Sequence, residues 1–292
     1  MTTLTRTAQP KDEGRKLKYF VRSDMGMSYH QFASLKVRGA LTVNGAPARA
    51  NHILRDGDVV CAALPEDAPA LAVEPEFEPV SIVYEDGDLL IVDKPAPLSC
   101  QRSPRQSLPT LENRLAAYFA DPAFVFRPLN RLDKGTSGLM AVAKHAHSYQ
   151  LFQKLLHTDR FVREYLAVVE GRVEGAFSID APIAKVGEAS VKRTVDLQNG
   201  KPSVTHVRAE GCFGEYSLVR LRLETGRTHQ IRVHLSHIGH PVAGDFLYGH
   251  EDARLPGRFA LHSARIMIDA PERRIDLASP LPPELQMLID AR

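Results

Sequence analysis

Four prolines, at 65, 69, 75 and 79, stand in a stretch rich in acids and alanines. Such punctuation suits neither a helix interior nor a central strand, so it splits the 292 residues into a short N-terminal part and a long C-terminal one. Charge changes across it. From Gly14 to Leu64 eight Lys or Arg stand against three Asp, whereas Pro65 to Asp88 holds eight acids and no Lys or Arg. A basic module ahead of an acidic linker is the footprint of a separate polyanion-binding unit; the plainer reading of the same charges is a solvated face. The expected organisation is a disordered leader (1–13), a small domain (14–64), a Pro-rich linker (65–79) and a large domain (80–292).

Composition narrows the class. No apolar stretch approaches the length of a membrane span, and Met1 to Lys11 lacks the apolar core of a signal peptide. Cys61, Cys100 and Cys212 lie too far apart for a disulfide framework or a Cys-based zinc site. Cytoplasmic residence is the expectation. In the small domain, Tyr19 to Val37 carries Phe32, Leu35 and Val37 at helix-like spacing. Gly39 then reads as a helix end, Leu41 to Val43 as a short strand, Asn44-Gly45 as a hairpin turn, and Val59 to Leu64 as a further strand after Asp56-Gly57-Asp58.

The large domain opens as strand, turn, strand: Ile82 to Tyr84, Glu85 to Asp88, Leu89 to Val92. Leu111, Leu115 and Tyr118 mark the buried stripe of a helix, and Leu151, Phe152, Leu155 and Leu156 that of a second. Arg163 to Val169, Ser203 to Ala209 and Tyr216 to Leu223 read as strands. Short strands with few helices between them predict an α+β domain on a mixed, largely antiparallel sheet, preceded by the small helical and hairpin domain.

Two dense segments carry the chemistry. The first runs Arg127-Pro128-Leu129-Asn130-Arg131-Leu132-Asp133-Lys134-Gly135-Thr136-Ser137-Gly138. Glycines at 135 and 138 permit a tight reversal, with Thr136 and Ser137 available to its free amides, so Asp133 is presented between two cations. The second runs Thr225-Gly226-Arg227-Thr228-His229-Gln230-Ile231-Arg232-Val233-His234. Its period-two alternation places Gln230, Arg232 and His234 on one face. Histidines 229, 234, 237 and 240 match no standard zinc spacing, so no metal is expected. No paired carboxylates, Gly-rich phosphate loop, Gly-x-Ser-x-Gly elbow or Cys–His pairing is present. One carboxylate must do the work.

With both segments read, residues 80 to 285 resemble the RluA-type pseudouridine synthases. The resemblance is carried by Arg131-Leu132-Asp133-x-x-Thr136-Ser137-Gly138, by Glu164-Tyr165-Leu166-Ala167-x-Val169-x-Gly171, and by the Thr225 to His234 segment with Gly239-His240-Pro241-x-x-Gly244-Asp245. Ile91-Val92-Asp93-Lys94-Pro95 and Leu261-His262-Ser263 fit its opening and closing motifs. The small domain resembles a degenerate αL RNA-binding domain through Leu35-Lys36-x-x-Gly39-x-x-x-Val43-Asn44-Gly45 and Leu54-x-x-Gly57-Asp58-x-Val60, with Ser28-Tyr29-His30 where a Ser-Arg step usually opens the second helix.

The resemblance implies isomerisation of uridine in structured RNA without a cofactor or metal. Large-subunit ribosomal RNA is the first expected substrate and transfer RNA the alternative. Residue by residue, it makes Asp133 the catalytic carboxylate, attacking sugar or base. Tyr165 would stack on the base and take the C5 proton, and Arg232 would pair with Asp133 and orient it. Arg131 would fill the space of the flipped-out base, and Leu261 would close the apolar side of the pocket. Arg227, His229 and Gln230 are the further RNA-contact candidates. Asn130, where the family usually has His, is expected to be tolerated. Lys94-Pro95-Ala96-Pro97 departs from Lys-Pro-x-Gly, so a different loop is expected there. The rival readings are a non-catalytic RNA-binding or ribosome-assembly factor and a metal-dependent nuclease or deaminase using the histidines.

Overall fold

The structure, a computed structural model, describes residues 3–64, 73–103, 109–156, 158–187, 190–270 and 273–290. The chain forms two compact units, Met1–Ala70 and Leu71–Arg292. In the first, β1 (Thr3–Thr7), α1 (Leu17–Ser23), α2 (Tyr29–Arg38), β2 (Leu41–Val43), β3 (Ala46–Pro47) and β4 (Val59–Ala63) follow in order, with the sheet order β1-β4-β2-β3. Ser28 caps α2: its hydroxyl accepts from the Gln31 amide at 3.1 Å while the Gln31 side chain accepts from the Ser28 amide at 3.1 Å. Gly39 ends the helix in the left-handed region, and Asn44 and Gly45 both take positive φ, as a two-residue hairpin turn requires. Leu17, Phe20, Leu35, Leu41, Leu54 and Val60 form its core.

The expected disordered leader is not one. Thr3–Thr7 pairs antiparallel with β4, Leu4 opposite Ala62 and Arg6 opposite Val60. Polar composition concealed a β-branched edge strand whose pairing satisfies the open side of β4. The helical stripe also differs: Phe32 and Leu35 are buried, but Val37 is 86% exposed.

Of the Pro-rich linker, residues 65–72 lie outside those described. The remainder is tied down: the Asn113 amide donates to the Glu74 carbonyl at 2.8 Å, the Glu76 amide donates to the Asn113 carbonyl at 3.0 Å, and Glu78 pairs with Arg114. Acidic side chains gave this segment a solvent-exposed look, but its backbone finds partners on a helix.

The second unit runs β5 (Ser81–Glu85), β6 (Leu89–Lys94), α3 (Leu111–Phe119), β7 (Ser137–Ala143), α4 (Ala146–Leu155), β8 (Phe161–Glu170), β9 (Ala176–Asp180), β10 (Ile183–Lys185), β11 (Arg193–Val195), β12 (Val204–Phe213), β13 (Tyr216–Leu223), α5 (Gln230–His237), β14 (Leu261–Ala270), β15 (Arg273–Ala278) and α6 (Pro283–Asp290). Nine described strands make one sheet in the order β5-β6-β7-β14-β8-β13-β12-β9, with β15 also on β14. Its pairs are antiparallel except β7 with β14. This is the mixed, largely antiparallel α+β architecture expected.

Both faces of the central strands are covered, which is why β6 reads as an unbroken apolar run. Leu90 and Val92 join a core with Leu115, Tyr165, Leu221, Ile231 and Leu288, while Leu89 and Ile91 join Leu139, Phe152, Ile266 and Ile268 on the other face. Tyr118 and Leu151, expected to be buried, are 48% and 37% exposed. Each lies at the edge of its helix stripe, where Tyr118 instead donates to Glu85 at 2.7 Å.

Candidate active site

The Asp133 loop is built against β7 before it enters it. Leu129 donates to the Ala141 carbonyl at 2.8 Å, and the buried Asn130 side chain accepts from the Ala141 amide at 2.9 Å. Cys100 Sγ contacts the Leu132 backbone from the opposite side, at 3.0 Å from its carbonyl oxygen. The loop after β6 adds a third support, the Leu98 amide donating to the Lys134 carbonyl at 2.9 Å. Buried Lys94 holds that loop through Nζ, which donates to the carbonyls of Pro95 at 2.9 Å and Leu98 at 2.7 Å. Burial pushes the Lys94 ammonium down to about 8.

The two glycines of the turn serve different ends. Gly138 has φ +105°, and a Cβ there would come within 2.3 Å of the Ser263 carbonyl oxygen on β14, so close parallel pairing demands glycine. A Cβ on Gly135 would meet the Phe259 ring at 2.7 Å. That ring is needed elsewhere: it lies 4.0 Å from the Arg232 guanidinium carbon. Ser137 does not serve the turn. Its hydroxyl faces His262 Nδ1 at 2.9 Å and accepts from Arg258 at 3.0 Å.

Gln230 to His234 form the first part of α5, not a strand. The helix divides the three polar residues that alternation would have placed together. Gln230 and His234, one turn apart, both reach Thr205, at 3.1 and 2.9 Å. Arg232 points elsewhere, and NH1 donates to Asp133 Oδ2 at 3.0 Å. Its other edge is gripped by Asp245, Nε to Oδ2 at 2.7 Å and NH2 to Oδ1 at 2.8 Å. Asp245 is fully buried. Burial opposes the Arg232 charge, but hydrogen bonds to Asp245 and the fields of both aspartates outweigh it, and its pKa goes up.

His229 begins α5 in the left-handed region, φ 60°. Its Nδ1 meets Tyr248 Oη at 2.8 Å and its Nε2 lies 3.9 Å from Asp133 Oδ2. Burial lowers its pKa against the pull of Asp133. His234 faces Thr205 and the Ala181 carbonyl oxygen, while His240 Nδ1 lies 2.9 Å from the Glu170 carbonyl oxygen. The clustered histidines thus hold separate loops.

These residues border one cleft of about 1270 Å³. Asp133, Arg131, Tyr165, Arg227, His229, Gln230, Arg232 and Leu261 all line it. Tyr165 is buried on β8 and Leu261 on β14, and burial raises the Tyr165 phenol pKa, with Arg163 working against the shift. Arg131 and Arg227 are exposed, Arg227 donating through Nε to the Pro202 carbonyl at 3.2 Å. Gln230 belongs to the wall. Its Oε1 accepts from Thr225 and the Arg227 amide at 2.8 and 2.9 Å, and its Nε2 donates to Val204 and Thr205 at 3.0 and 3.1 Å. Its amide is fully occupied by the loop it shapes. Sequence reasoning assigned no role to Asp245, Phe259, Tyr248 or Arg163. Asp245 stood within a quoted motif, but only the fold shows it meeting Arg232.

The cleft offers a carboxyl and guanidinium pair beside a buried phenol and an apolar wall, with Arg102, Arg127, Arg131, Lys134, Arg163 and Arg227 around it. That is a site for an aromatic base carried on a polyanion. A family profile for RNA pseudouridylate synthase matches residues 88–237. The chain is 34% identical to the uncharacterized RNA pseudouridine synthase YlyB of Bacillus subtilis, over 99% of this chain and 98% of that protein. It is 36% identical to ribosomal large subunit pseudouridine synthase D of Pseudomonas aeruginosa, over 86% of this chain and 83% of that protein. The solved structure of human RNA pseudouridylate synthase domain containing 1 superposes with a TM-score of 0.59 at 30% identity, covering 72% of this chain and 87% of that one. With a matched profile over half its length and relatives along nearly all of it, this chain belongs to the RluA-type RNA pseudouridine synthases and is an isomerase acting on RNA.

Proposed function

We propose that this protein isomerises uridines of large-subunit ribosomal RNA, with Asp133 as its catalytic carboxylate and no cofactor. The observation that carries the reading is the chain Asp133–Arg232–Asp245, whose first two members line the cleft with Tyr165 and Leu261. The reaction breaks the N1–C1′ bond, forms a C5–C1′ bond, removes the C5 proton and leaves a proton on N1. Nothing is oxidised or reduced. A base in a helix is out of reach, so it must be extruded. Arg131 at the exposed rim is suited to the space it leaves, Tyr165 to its face, and Leu261 to its apolar edge. Asp133 attacks sugar or base from its pairing with Arg232. His229 and exposed Arg227 contact the RNA, while Gln230 shapes the loop that carries them.

The ribosomal substrate is supported by the relatives named large-subunit synthases; transfer RNA is the second candidate. In the first unit Lys16, Arg22, Lys36, Arg38, Arg49 and Arg55 are exposed, which supports an RNA-gathering role for residues 14–64. Among the described residues no helix is long and apolar enough to cross a membrane; a cytoplasmic place fits a ribosomal substrate. The test is carbodiimide primer-stop mapping of RNA from cells with and without the gene. A uridine that loses its stop on deletion, and regains it with wild type but not with Asp133→Ala, carries the proposal. No change at any ribosomal uridine overturns the ribosomal assignment, and a change in transfer RNA replaces it.

A further inference from the structure

Arg163 is a buried cation that the scheme above leaves unused. It precedes Tyr165 by two residues on β8, so both side chains leave one face of the strand, about 6.6 Å apart along it. Only 5% of Arg163 is exposed, its Nε is buried without a partner, and it lines the cleft. NH1 stands 3.5 Å from where a side chain at Gly226 would begin, so the glycine keeps the approach open.

The carboxylates bordering the cleft are Asp133 and Glu224. Asp133 is held by Arg232 at 3.0 Å and Glu224 lies 2.7 Å from His206. Among the described residues none forms an ion pair or hydrogen bond with the Arg163 side chain. A guanidinium taken out of water without a counter-charge is costly, and its planar fork matches the oxygens of a phosphodiester. No counter-charge is supplied by the described residues, so an anion entering the cleft could supply it.

We propose that Arg163 receives the backbone phosphate flanking the target uridine, holding the charged end of the nucleotide while Tyr165 meets its base. This rests on the RNA reading of the cleft. The separation of the two side chains is on the scale of one nucleotide, and no other cation on that strand face is buried beside Tyr165. Arg163 would then be poorly compensated in the free protein and neutralised in the complex.

Two measurements test this on the full chain. In thermal melts, inorganic phosphate at constant ionic strength should raise the Tm of wild type more than that of Arg163→Met, and Arg163→Met should melt no lower than wild type without phosphate. In filter binding to transcribed large-subunit ribosomal RNA, Arg163→Met should flatten the slope of log K against log salt by about 0.7. Arg163→Lys should keep the slope and lose affinity, since it keeps charge without the fork. Equal phosphate shifts in wild type and Arg163→Met, or an unchanged salt slope in a folded Arg163→Met protein, overturn the inference. Should the RNA reading itself fail, wild type would show no salt-sensitive RNA affinity to compare, while the phosphate melt would still report the anion site.

Discussion

Two charged networks lie back to back across β8. Tyr165 faces the cleft, with the Asp133–Arg232–Asp245 chain beside it; Glu164, the residue before it, faces the other side of the sheet. There Glu164 lies 3.5 Å from Arg220 and 3.6 Å from Arg265, Glu210 accepts from Arg220 and Arg208 at 2.8 and 2.7 Å, and Arg265 grips Asp276. The residue types and distances are alike. Solvent separates the two. Arg232 and Asp245 side chains are 4% and 0% exposed, whereas Arg220 and Glu210 keep 31% and 26%. Asp133 keeps 26% exposure, but the Arg232–Asp245 pair is held in one arrangement because any other would strand a charge, whereas water can replace either partner of the open lattice.

The largest expected effect is at Asp133. Asp133→Asn should lower isomerisation about a thousandfold or more while RNA binding persists, read by tritium release from C5-labelled RNA and by filter binding. Retained turnover would move the chemistry to another residue. Asp245→Asn comes next. Loss of one partner should destabilise the fold by about 3–5 kcal/mol in urea titrations and lower kcat on the order of a hundredfold, with KM little changed, because Arg232 loses its orientation. Equal losses in KM and kcat would mean that Asp245 serves binding instead.

Acid should act on buried histidines outside both networks. Burial lowers the pKa of His234 and of His262 from the ordinary 6.5. The folded state therefore holds fewer protons than the unfolded chain just below that value, so stability is present above it and falls as pH drops. Tm should decline from pH 7.5 toward pH 5, and His234→Asn should flatten part of the decline. The smallest effect belongs to the open face: Arg220→Ala should cost less than about 1 kcal/mol and leave kcat unaltered. A larger loss would show that the lattice is held as firmly as the cleft.

Gly39, Asn44-Gly45 and the strands at Ile82, Leu89, Arg163, Ser203 and Tyr216 were legible because their signals are local: positive φ, turn chemistry and hydrophobic period. The pairing of Arg232 with Asp133 was expected through motif resemblance. The Gln230 segment misled because Gln230 to Leu235 are all buried, so no polar face reveals the helical period. Thr3–Thr7 misled because an edge strand needs little apolar content once a partner supplies its hydrogen bonds.

What this amino-acid sequence determined by itself is therefore what neighbours in the chain decide: turns, caps and apolar runs. Tertiary structure alone decided that Arg232 lies between Asp133 and Asp245, that Phe259 enters over Gly135, and that Arg163 sits buried without a counter-charge among the described residues. The Arg232–Asp133 meeting joins residues 99 positions apart and the Phe259–Gly135 meeting joins residues farther apart still, and desolvation sets their strength. Burial of that kind is a property of the folded assembly of strands and helices, so no local pattern encodes it.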